Sequence, residues 1–340
     1  MTLKNKRNHY NVKLLRGYGH SISVKNSKLI LKNGRHDITG EQESEVWFVK
    51  NMPYEKIILS GKGYVSTEAL SLLSQNNRNV ILVDTYGKPI TYCNSMMDSL
   101  TGTKYRIAQY DTFRDPTKCE YLTKQILTAK KESQLKLLKL IGSDVVSLPE
   151  KEHLASKIHF AEYAKFIPER YGFNSRNQSF IRTSKNNATD IINALLNYGY
   201  SVLAGEISKF VCGFGLDPYF GFMHRSHTGF QPLVYDIIEP FRWLVDYSVY
   251  SIANNSSKRH RIKLKEFVHT RDGNVVMDSS LIKRFLEMLD RQFRQERKYG
   301  FRHGKKTKSG LKSVQEITIV KIASQNLAEY CSGKEKEFVI

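Results

Sequence analysis

Three residues that are far apart in the sequence carry side chains able to hold a divalent cation. His224 lies in the glycine-bounded loop GFMHRSHTGF, and Asp236 lies in the apolar run that follows it, LVYDII. Glu162 lies in IHFAEYAKFI, where small neighbouring alanines leave room for another group to approach. Two carboxylates and an imidazole suit Mg²⁺ or Mn²⁺, and the imidazole favours Mn²⁺. An ion held in this way can neutralise a phosphate oxygen and activate an attacking hydroxyl.

Each of these residues also has an ordinary structural explanation. A single glutamate in a helix, such as Glu162, is usually solvated at the helix edge. A histidine in a glycine-rich loop, such as His224 or its neighbour His227, is commonly an exposed bystander. Asp236 is harder to explain, because an unpaired buried carboxylate is costly. Spacing alone does not bring the three side chains together, so the metal site is a hypothesis.

The apolar run around Asp236 also contains a second acid and a proline. Asp236 and Glu239 are three residues apart, so both project from one side of a helix. Pro240 has no N–H to donate to the carbonyl oxygen of Asp236, four residues earlier. We therefore predict that the helix kinks between the two acids and aims a carboxylate outward. Glu239 could instead pair with Arg242.

The overall charge favours a phosphate-rich partner. The chain has 53 basic and 33 acidic residues and a net charge of +20. Nucleic acid is the favoured partner, because each basic side chain near a phosphate releases condensed counterions. The segments SSKRHRIKLK and KYGFRHGKKTKSGLK concentrate this charge, and the second interleaves Tyr299, Phe301 and His303, which suits base stacking. The residues predicted to contact nucleic acid are Arg259, Arg261, Lys263, Lys298, Arg302, Lys305, Lys306 and Lys308.

Other patterns indicate a cytoplasmic chain that does not enter a membrane. No apolar run reaches the roughly 18 residues that a spanning helix requires. The N-terminal residues MTLKNKRNHY lack the apolar core of a signal peptide. The four cysteines form no C-x-x-C pair, which argues against a zinc ribbon or a disulfide framework.

The predicted secondary structure that would position these residues changes along the chain from strands to helices. The first ninety-odd residues are β-rich: SISVKNSKLILK has a hairpin pattern, KIILS and NVILVD resemble short strands, and STEALSLLSQ is a short helix with a Ser/Thr cap. Helical spacing then predicts five helices, at 116–142, 147–167, 186–211, 233–253 and 278–299. We therefore predict an α+β chain with a β-rich, β-sandwich-like domain at 1–93, a linker at 94–103 and a larger all-α catalytic domain at 104–340.

Several blocks of the sequence resemble a known family. NALLNYGYSVL, GLDPYFGFMH and LVYDIIEPFRWLVD occur in this order and resemble the core of the CRISPR-associated integrase family, Cas protein one. AEYAKFI is similar to an upstream Glu-x-Ala block of that family. The stretch from KIILS to GKPI, residues 56–90, is similar to the pattern of its N-terminal β domain. The resemblance spans nearly the whole chain.

The resemblance implies a metal-dependent DNA endonuclease and integrase that acts in CRISPR spacer acquisition. Such an enzyme joins 3′-hydroxyl ends of DNA into target DNA by transesterification. The resemblance further implies a homodimer formed mainly through the β domains and a small ferredoxin-like companion, Cas protein two. The implied catalytic residues and Mg²⁺ or Mn²⁺ ligands are Glu162, His224 and Asp236, with Glu239, Asn197, Tyr198 and Arg242 in supporting roles.

Two other functions fit the same residues. Casposases are transposon-encoded integrases of the same superfamily, but they typically carry an extra DNA-binding segment after the catalytic domain, for which we expect little room here. A metal-free, nucleic-acid-binding structural protein is the second alternative. It predicts that alanine at Glu162, His224 or Asp236 leaves every measurable activity unchanged.

Overall fold

The chain divides into two units, Met1–Thr101 and Gly102–Ile340. The computed structural model describes residues 12–35, 42–54, 56–76, 78–83, 89–93, 99–176, 188–224, 231–257, 259–271, 273–300 and 311–340. The N-terminal unit is rich in strands and the C-terminal unit is mainly helical, so the predicted α+β class is confirmed.

Two four-stranded sheets build the N-terminal unit. Its elements are β1 (Val12–Arg16), β2 (His20–Lys25), β3 (Lys28–Lys32), β4 (Ser44–Trp47), β5 (Lys56–Ser60), β6 (Gly63–Val65), α1 (Thr67–Gln75), β7 (Asn79–Val83) and β8 (Pro89–Cys93). One sheet has the order β1-β5-β7-β8, in which the first three strands are parallel. The other has the order β4-β3-β2-β6, in which β6 is parallel to β2. Buried side chains from both sheets and from α1 form one core.

Local chemistry explains two of these elements. Asn26 and Ser27 join β2 to β3 with φ angles of 51° and 58°, the left-handed values that a two-residue hairpin turn requires. The Ser66 side chain accepts a hydrogen bond from the backbone N–H of Ala69 at 3.2 Å and so caps α1. The predicted hairpin and the predicted helix cap are therefore confirmed.

Helices form most of the C-terminal unit, and its largest buried cluster lies among them. The helices are α2 (Ser99–Arg114), α3 (Pro116–Ile141), α4 (Glu152–Lys165), α5 (Ile191–Gly213), α6 (Pro232–Ile238), α7 (Arg242–Ala253), α8 (Ser279–Arg294) and α9 (Glu316–Cys331). In the described part of the chain, no helix is both long and apolar enough to cross a bilayer.

The C-terminal unit is not all-α, which corrects the prediction. Strands β9 (Phe267–His269) and β10 (Val275–Met277) form one antiparallel pair, and β11 (Glu296–Gly300) and β12 (Leu311–Gln315) form another. We predicted residues 295–299 as the end of a helix, but α8 stops earlier, because Gln295 takes an extended backbone conformation with φ −64° and ψ 127°.

Two further boundaries differ from the predictions. Residues 99–103 of the predicted linker belong to α2, a helix that has no clear apolar stripe in its sequence SLTGTKYRIAQYDTFR. The second predicted helix begins at Glu152 and not near Ser147, because Lys151 has extended backbone angles of φ −67° and ψ 117°. This later start places Glu152 in the first turn of α4.

Close packing of α5 against two other helices requires glycine at position 199. A Cβ atom there would lie 2.4 Å from Cγ1 of Val245 and 3.0 Å from Cζ of Phe285. We expect Gly199→Ala to lower the free energy of unfolding by about 1–3 kcal/mol through overpacking. Urea denaturation measures the change.

Gly205→Ala on the same helix is the matched control. A Cβ atom at Gly205 meets no heavy atom within 4 Å, so better helix propensity should raise the free energy of unfolding by up to about 1 kcal/mol. Equal effects of the two substitutions would contradict the close approach of the helices at Gly199.

Candidate active site

A break between two helices lies at Asp236 and Glu239, two acids on one turn of backbone. Helix α6 ends at Ile238, a 3₁₀ turn covers Glu239–Phe241, and α7 begins at Arg242. The break coincides with Pro240, so the predicted opening of the helix between the two acids is confirmed. The predicted outward aim of a carboxylate is wrong, because both acids are buried. Both acids are nearly inaccessible to solvent, at 0% exposure for Asp236 and 5% for Glu239.

Asp236 anchors the loop that contains His224. Its Oδ2 accepts hydrogen bonds from the backbone N–H groups of Phe222 at 2.7 Å and Met223 at 3.1 Å. Its Oδ1 accepts one from the N–H of His224 at 2.9 Å. These bonds compensate the burial of the carboxylate, which would otherwise be costly.

A glycine makes this approach of loop and carboxylate possible. A Cβ atom at Gly221 would lie 2.6 Å from Oδ2 of Asp236 and 2.7 Å from Cβ of Pro232. The loop could not come as close with any larger residue there. The glycine that bounds the loop in the sequence is therefore explained by packing against the acid.

The same carboxylate orients the imidazole. Nδ1 of His224 lies 2.6 Å from Oδ1 of Asp236, and because a carboxylate only accepts, Nδ1 is the donor. This tautomer makes Nε2 the ring nitrogen suited to bind a cation, an arrangement that recurs around metal-binding histidines. We predicted Asp236 as a metal ligand, but its two oxygens already accept four hydrogen bonds. The structure places it as the residue that holds His224.

Glu239 takes part in a second carboxylate cluster. Its Oε1 accepts hydrogen bonds from Nε and Nη2 of Arg242 at 3.0 and 2.8 Å. Its Oε2 lies 2.8 Å from Nζ of Lys130, which also donates to Oε1 of Glu152 at 2.6 Å. One ammonium nitrogen therefore bridges two carboxylates, which come from α4 and from the turn after α6.

The charges around Glu239 and Glu152 keep both of these side chains ionised. Burial opposes ionisation of Glu239, but the charges of Arg242 and Lys130 outweigh burial and lower the pKa of Glu239. The hydrogen bond from Lys130 lowers the pKa of Glu152. Both carboxylates are therefore negatively charged at neutral pH, and the positive charges of Lys130 and Arg242 balance them.

Aromatic and polar groups hold Arg242 in place. Its guanidinium lies 4.7 Å from the centre of the Tyr200 ring, and the Tyr200 hydroxyl donates to Oδ1 of Asp246 at 2.5 Å. Arg176 lies 5.3 Å from the same ring and donates to Oδ1 of Asn197 at 2.9 Å. The predicted supporting residues Arg242 and Asn197 thus belong to one network behind Glu239.

Glu162 is not part of this cluster. It lies on α4 ten residues after Glu152, about 15 Å farther along the helix, too far to share one cation with Glu152. Its oxygens accept hydrogen bonds from Oγ of Ser143 at 3.0 Å and Nζ of Lys165 at 2.6 Å. In the part of the chain that the structure describes, no three His, Cys, Asp or Glu side chains form a ready metal site. Of the three predicted ligands, the structure brings Asp236 and His224 into contact, and Glu162 contacts Ser143 and Lys165 instead.

The remaining predicted residues are dispersed. Tyr198 packs against Phe285, with ring centres 6.4 Å apart. Arg259 and Lys298 are exposed, Arg261 is half-buried, and Lys263 lies 3.7 Å from Glu266. We predicted Tyr299 as a stacking residue, but its hydroxyl donates a hydrogen bond to buried Glu316. Residues that fall outside the described part of the chain are His227, Phe301, Arg302, His303, Lys305, Lys306 and Lys308.

Sequence reasoning missed several residues of the site, among them Glu152, Lys130, Tyr200, Asp246 and Arg176. Glu152 lies in a polar stretch before the predicted apolar face, and Lys130 lies in a run of lysines that resembles a solvated helix surface. Tyr200 and Asp246 lie among apolar residues and carry the only available signal, since a polar group in a buried segment needs a partner. None of these patterns identifies the partner.

Most of the chain is similar in sequence to known proteins. A family model described as CRISPR associated protein Cas1 matches residues 14–150 and 140–291. The chain is 29% identical over 264 residues to CRISPR-associated endonuclease Cas1 1 of Archaeoglobus fulgidus, covering 66% of this chain and 73% of that protein. It is 27% identical over 273 residues to CRISPR-associated protein Cas1 3 of Methanobrevibacter ruminantium, covering 71% and 77%.

Solved structures share the fold. A casposase bound to integration product superposes with a TM-score of 0.82 at 24% identity, covering 96% of this chain and 92% of that one. A Cas1 protein from Thermotoga maritima gives 0.72 at 15% identity, covering 96% and 99%. A chain of a Cas6-RT-Cas1–Cas2 complex gives 0.69 at 17% identity, covering 98% of this chain and 36% of that one.

Replacing Asp236 by asparagine tests its role as the anchor of the loop. One acceptor oxygen becomes an NH₂ group that faces N–H donors, so we expect Asp236→Asn to lower the free energy of unfolding by about 1.5–3 kcal/mol. Urea denaturation at pH 7 measures the loss.

Asp115→Asn provides the comparison. Oδ1 of Asp115 also accepts backbone hydrogen bonds, from Thr117 at 2.9 Å and Lys118 at 3.3 Å, but at an exposed helix cap where asparagine serves equally well. A stability of Asp236→Asn within about 0.5 kcal/mol of that of Asp115→Asn would rule out the anchoring role, since a buried anchor should cost more.

Proposed function

This chain belongs to the Cas1 family of CRISPR-associated proteins, and we propose that it is a divalent-metal-dependent DNA endonuclease and integrase of CRISPR adaptation. The observation that carries the proposal is that one cationic nitrogen, Nζ of Lys130, bridges Glu152 and Glu239. Glu239 lies on the turn that follows Asp236, the residue paired with His224. Relatives named endonucleases support the same reaction class.

The carboxylate cluster fits a divalent cation. Its two acids already share the positive charge of Lys130, which supports a cation at this position. Oε2 of Glu239 is buried and pairs with Nζ of Lys130 at 2.8 Å. Oxygen ligands with one imidazole suit Mg²⁺ or Mn²⁺. We propose Glu152, Glu239 and His224 as the ligands, with Asp236 and Arg242 as residues that hold them.

The residues around the proposed ion then have defined roles. Asp236 fixes the tautomer and the position of His224, and Arg242 fixes one oxygen of Glu239 so that the other faces the cluster. When bound, a divalent ion supplies neutralisation of a phosphate oxygen and activation of the attacking hydroxyl. If a DNA 3′-hydroxyl attacks, a new phosphodiester forms and the target strand leaves with its own 3′-hydroxyl, which is integration. If water attacks, the strand is cleaved.

DNA is the proposed substrate and partner. The net charge of +20 favours phosphate binding, and Arg259 and Lys298 are exposed cations that can supply it. We further propose that the chain acts as a homodimer with Cas2, because structures similar in fold include a Cas6-RT-Cas1–Cas2 complex.

A casposase-type integrase is the second candidate. The extensive similarity in fold to a casposase bound to integration product favours it. Dependence on Cas2 and on a CRISPR repeat target separates the two candidates. Joining that needs Cas2 and the repeat supports CRISPR adaptation, whereas joining that needs neither supports a transposon integrase.

Substitution of the proposed ligands tests the function. We expect Glu152→Gln, Glu239→Gln and His224→Ala each to reduce Mn²⁺-dependent joining of a short duplex into supercoiled plasmid by at least about 100-fold, because each removes a ligand worth several kcal/mol. Binding of the duplex, measured by gel shift, should persist.

Glu162→Gln is the matched control on the same helix as Glu152. We expect it to keep joining within about threefold of the wild type, because Glu162 contacts Ser143 and Lys165 outside the proposed ligand cluster. Loss of joining in Glu162→Gln together with normal joining in Glu152→Gln would reject the proposed ligands. Full joining by a chelator-treated protein would reject metal dependence itself.

A further inference from the structure

Lys130 occupies the position between the two carboxylates that a cation would take. Its Nζ lies 2.6 Å from Oε1 of Glu152 and 2.8 Å from Oε2 of Glu239, and its side chain is only 12% exposed. We propose that Lys130 is a built-in substitute for the divalent ion: it neutralises the site in the metal-free protein, and metal binding displaces it. The inference rests on the proposed metal site.

The contacts of Lys130 explain why the metal-free site needs it. Two carboxylates that face each other repel, and Arg242 satisfies only Oε1 of Glu239. Without Lys130, Oε2 of Glu239 would be a buried and unpaired anionic oxygen, which is strongly unfavourable. Lys130 therefore keeps Glu152 and Glu239 together and ionised before any metal arrives.

The same contacts indicate that Lys130 is exchangeable. Its interaction with Oε2 of Glu239 is an ion pair at 2.8 Å, in which charge is the main contribution. An ammonium on a flexible four-carbon stem can move at low cost, in contrast to the forked and stacked guanidinium of Arg242. A divalent ion held by Glu152 and Glu239 would carry twice the charge of the ammonium and would repel it. The displaced ammonium then becomes available to a DNA phosphate.

Metal binding to charge-altered variants tests the inference. We expect Lys130→Met to bind Mn²⁺ at least about tenfold more tightly than the wild type, because a competing charge is removed. Its melting temperature without metal should fall, and Mn²⁺ should restore it. Lys130→Arg keeps the charge and should not gain affinity. Isothermal titration with Mn²⁺ and thermal melting give the readouts.

Lys165→Met is the matched control. Lys165 pairs with Glu162 on the same helix that carries Glu152, at 2.6 Å, so the substitution removes an equivalent charge contact outside the cluster. Its affinity for Mn²⁺ should equal that of the wild type.

Chemical labelling of lysines gives an independent readout on the wild-type protein. We expect Lys130 to react slowly with an amine-acylating reagent in the metal-free protein and several times faster when Mn²⁺ is present, whereas Lys165 reacts at one rate throughout. Mass spectrometry measures both rates. Labelling of Lys130 that Mn²⁺ leaves unchanged would overturn the displacement.

The outcomes separate this inference from the proposed function. If Glu152→Gln and Glu239→Gln bind Mn²⁺ as the wild type does, the proposed metal site is wrong. If both lose binding but Lys130→Met binds Mn²⁺ no more tightly, only the role of Lys130 is wrong. If Lys130→Met folds only when Mn²⁺ is added, the metal replaces the missing charge as inferred, and failure to fold with Mn²⁺ would overturn the inference.

Discussion

Burial of two carboxylates three residues apart is the constraint on which this site depends. Asp236 and Glu239 occupy one turn of a segment whose other residues fill the core. Buried carboxylates are tolerated only when their oxygens are hydrogen-bonded or paired with charge. The loop at 221–224 compensates Asp236, and Arg242 and Lys130 compensate Glu239. The hydrogen bonds and ion pairs that compensate these two buried carboxylates therefore hold separate parts of the chain against a single turn.

The two compensations differ in kind, and the difference suits their proposed roles. Asp236 is saturated by backbone N–H groups and by Nδ1 of His224, so this half of the site is fixed. Glu239 has one oxygen locked by Arg242, while the other meets only a flexible ammonium. A histidine fixed by Asp236 and a cationic position held by a flexible side chain are the two features that the proposed ion site requires.

Part of this arrangement could be predicted from the sequence. A proline four residues after an acid predicts a break in the helix, and an acid in an apolar run predicts a buried carboxylate that needs partners. Both predictions concern neighbouring residues, for which backbone chemistry decides the outcome. The hairpin around Asn26 and the helix cap at Ser66 could be predicted for the same reason.

The rest depends on contacts between distant residues, which spacing does not encode. Glu152 and Glu162 lie on one helix, and only tertiary packing decides which of them meets Lys130. The small neighbours of Glu162 suggested room for a shared cation, but its side chain contacts Ser143 and Lys165 instead. Strand β11 was mistaken for helix because its charged and aromatic residues gain their strand pairing from β12, fifteen residues later.

The position of the ion is the central claim, and a crystal structure with Mn²⁺ tests it most directly. Anomalous scattering from manganese should give one peak between the carboxylates of Glu152 and Glu239, within coordination distance of Nε2 of His224, with Nζ of Lys130 moved away. A manganese peak at Glu162, or an unchanged Lys130 bridge with manganese bound elsewhere, would contradict the account.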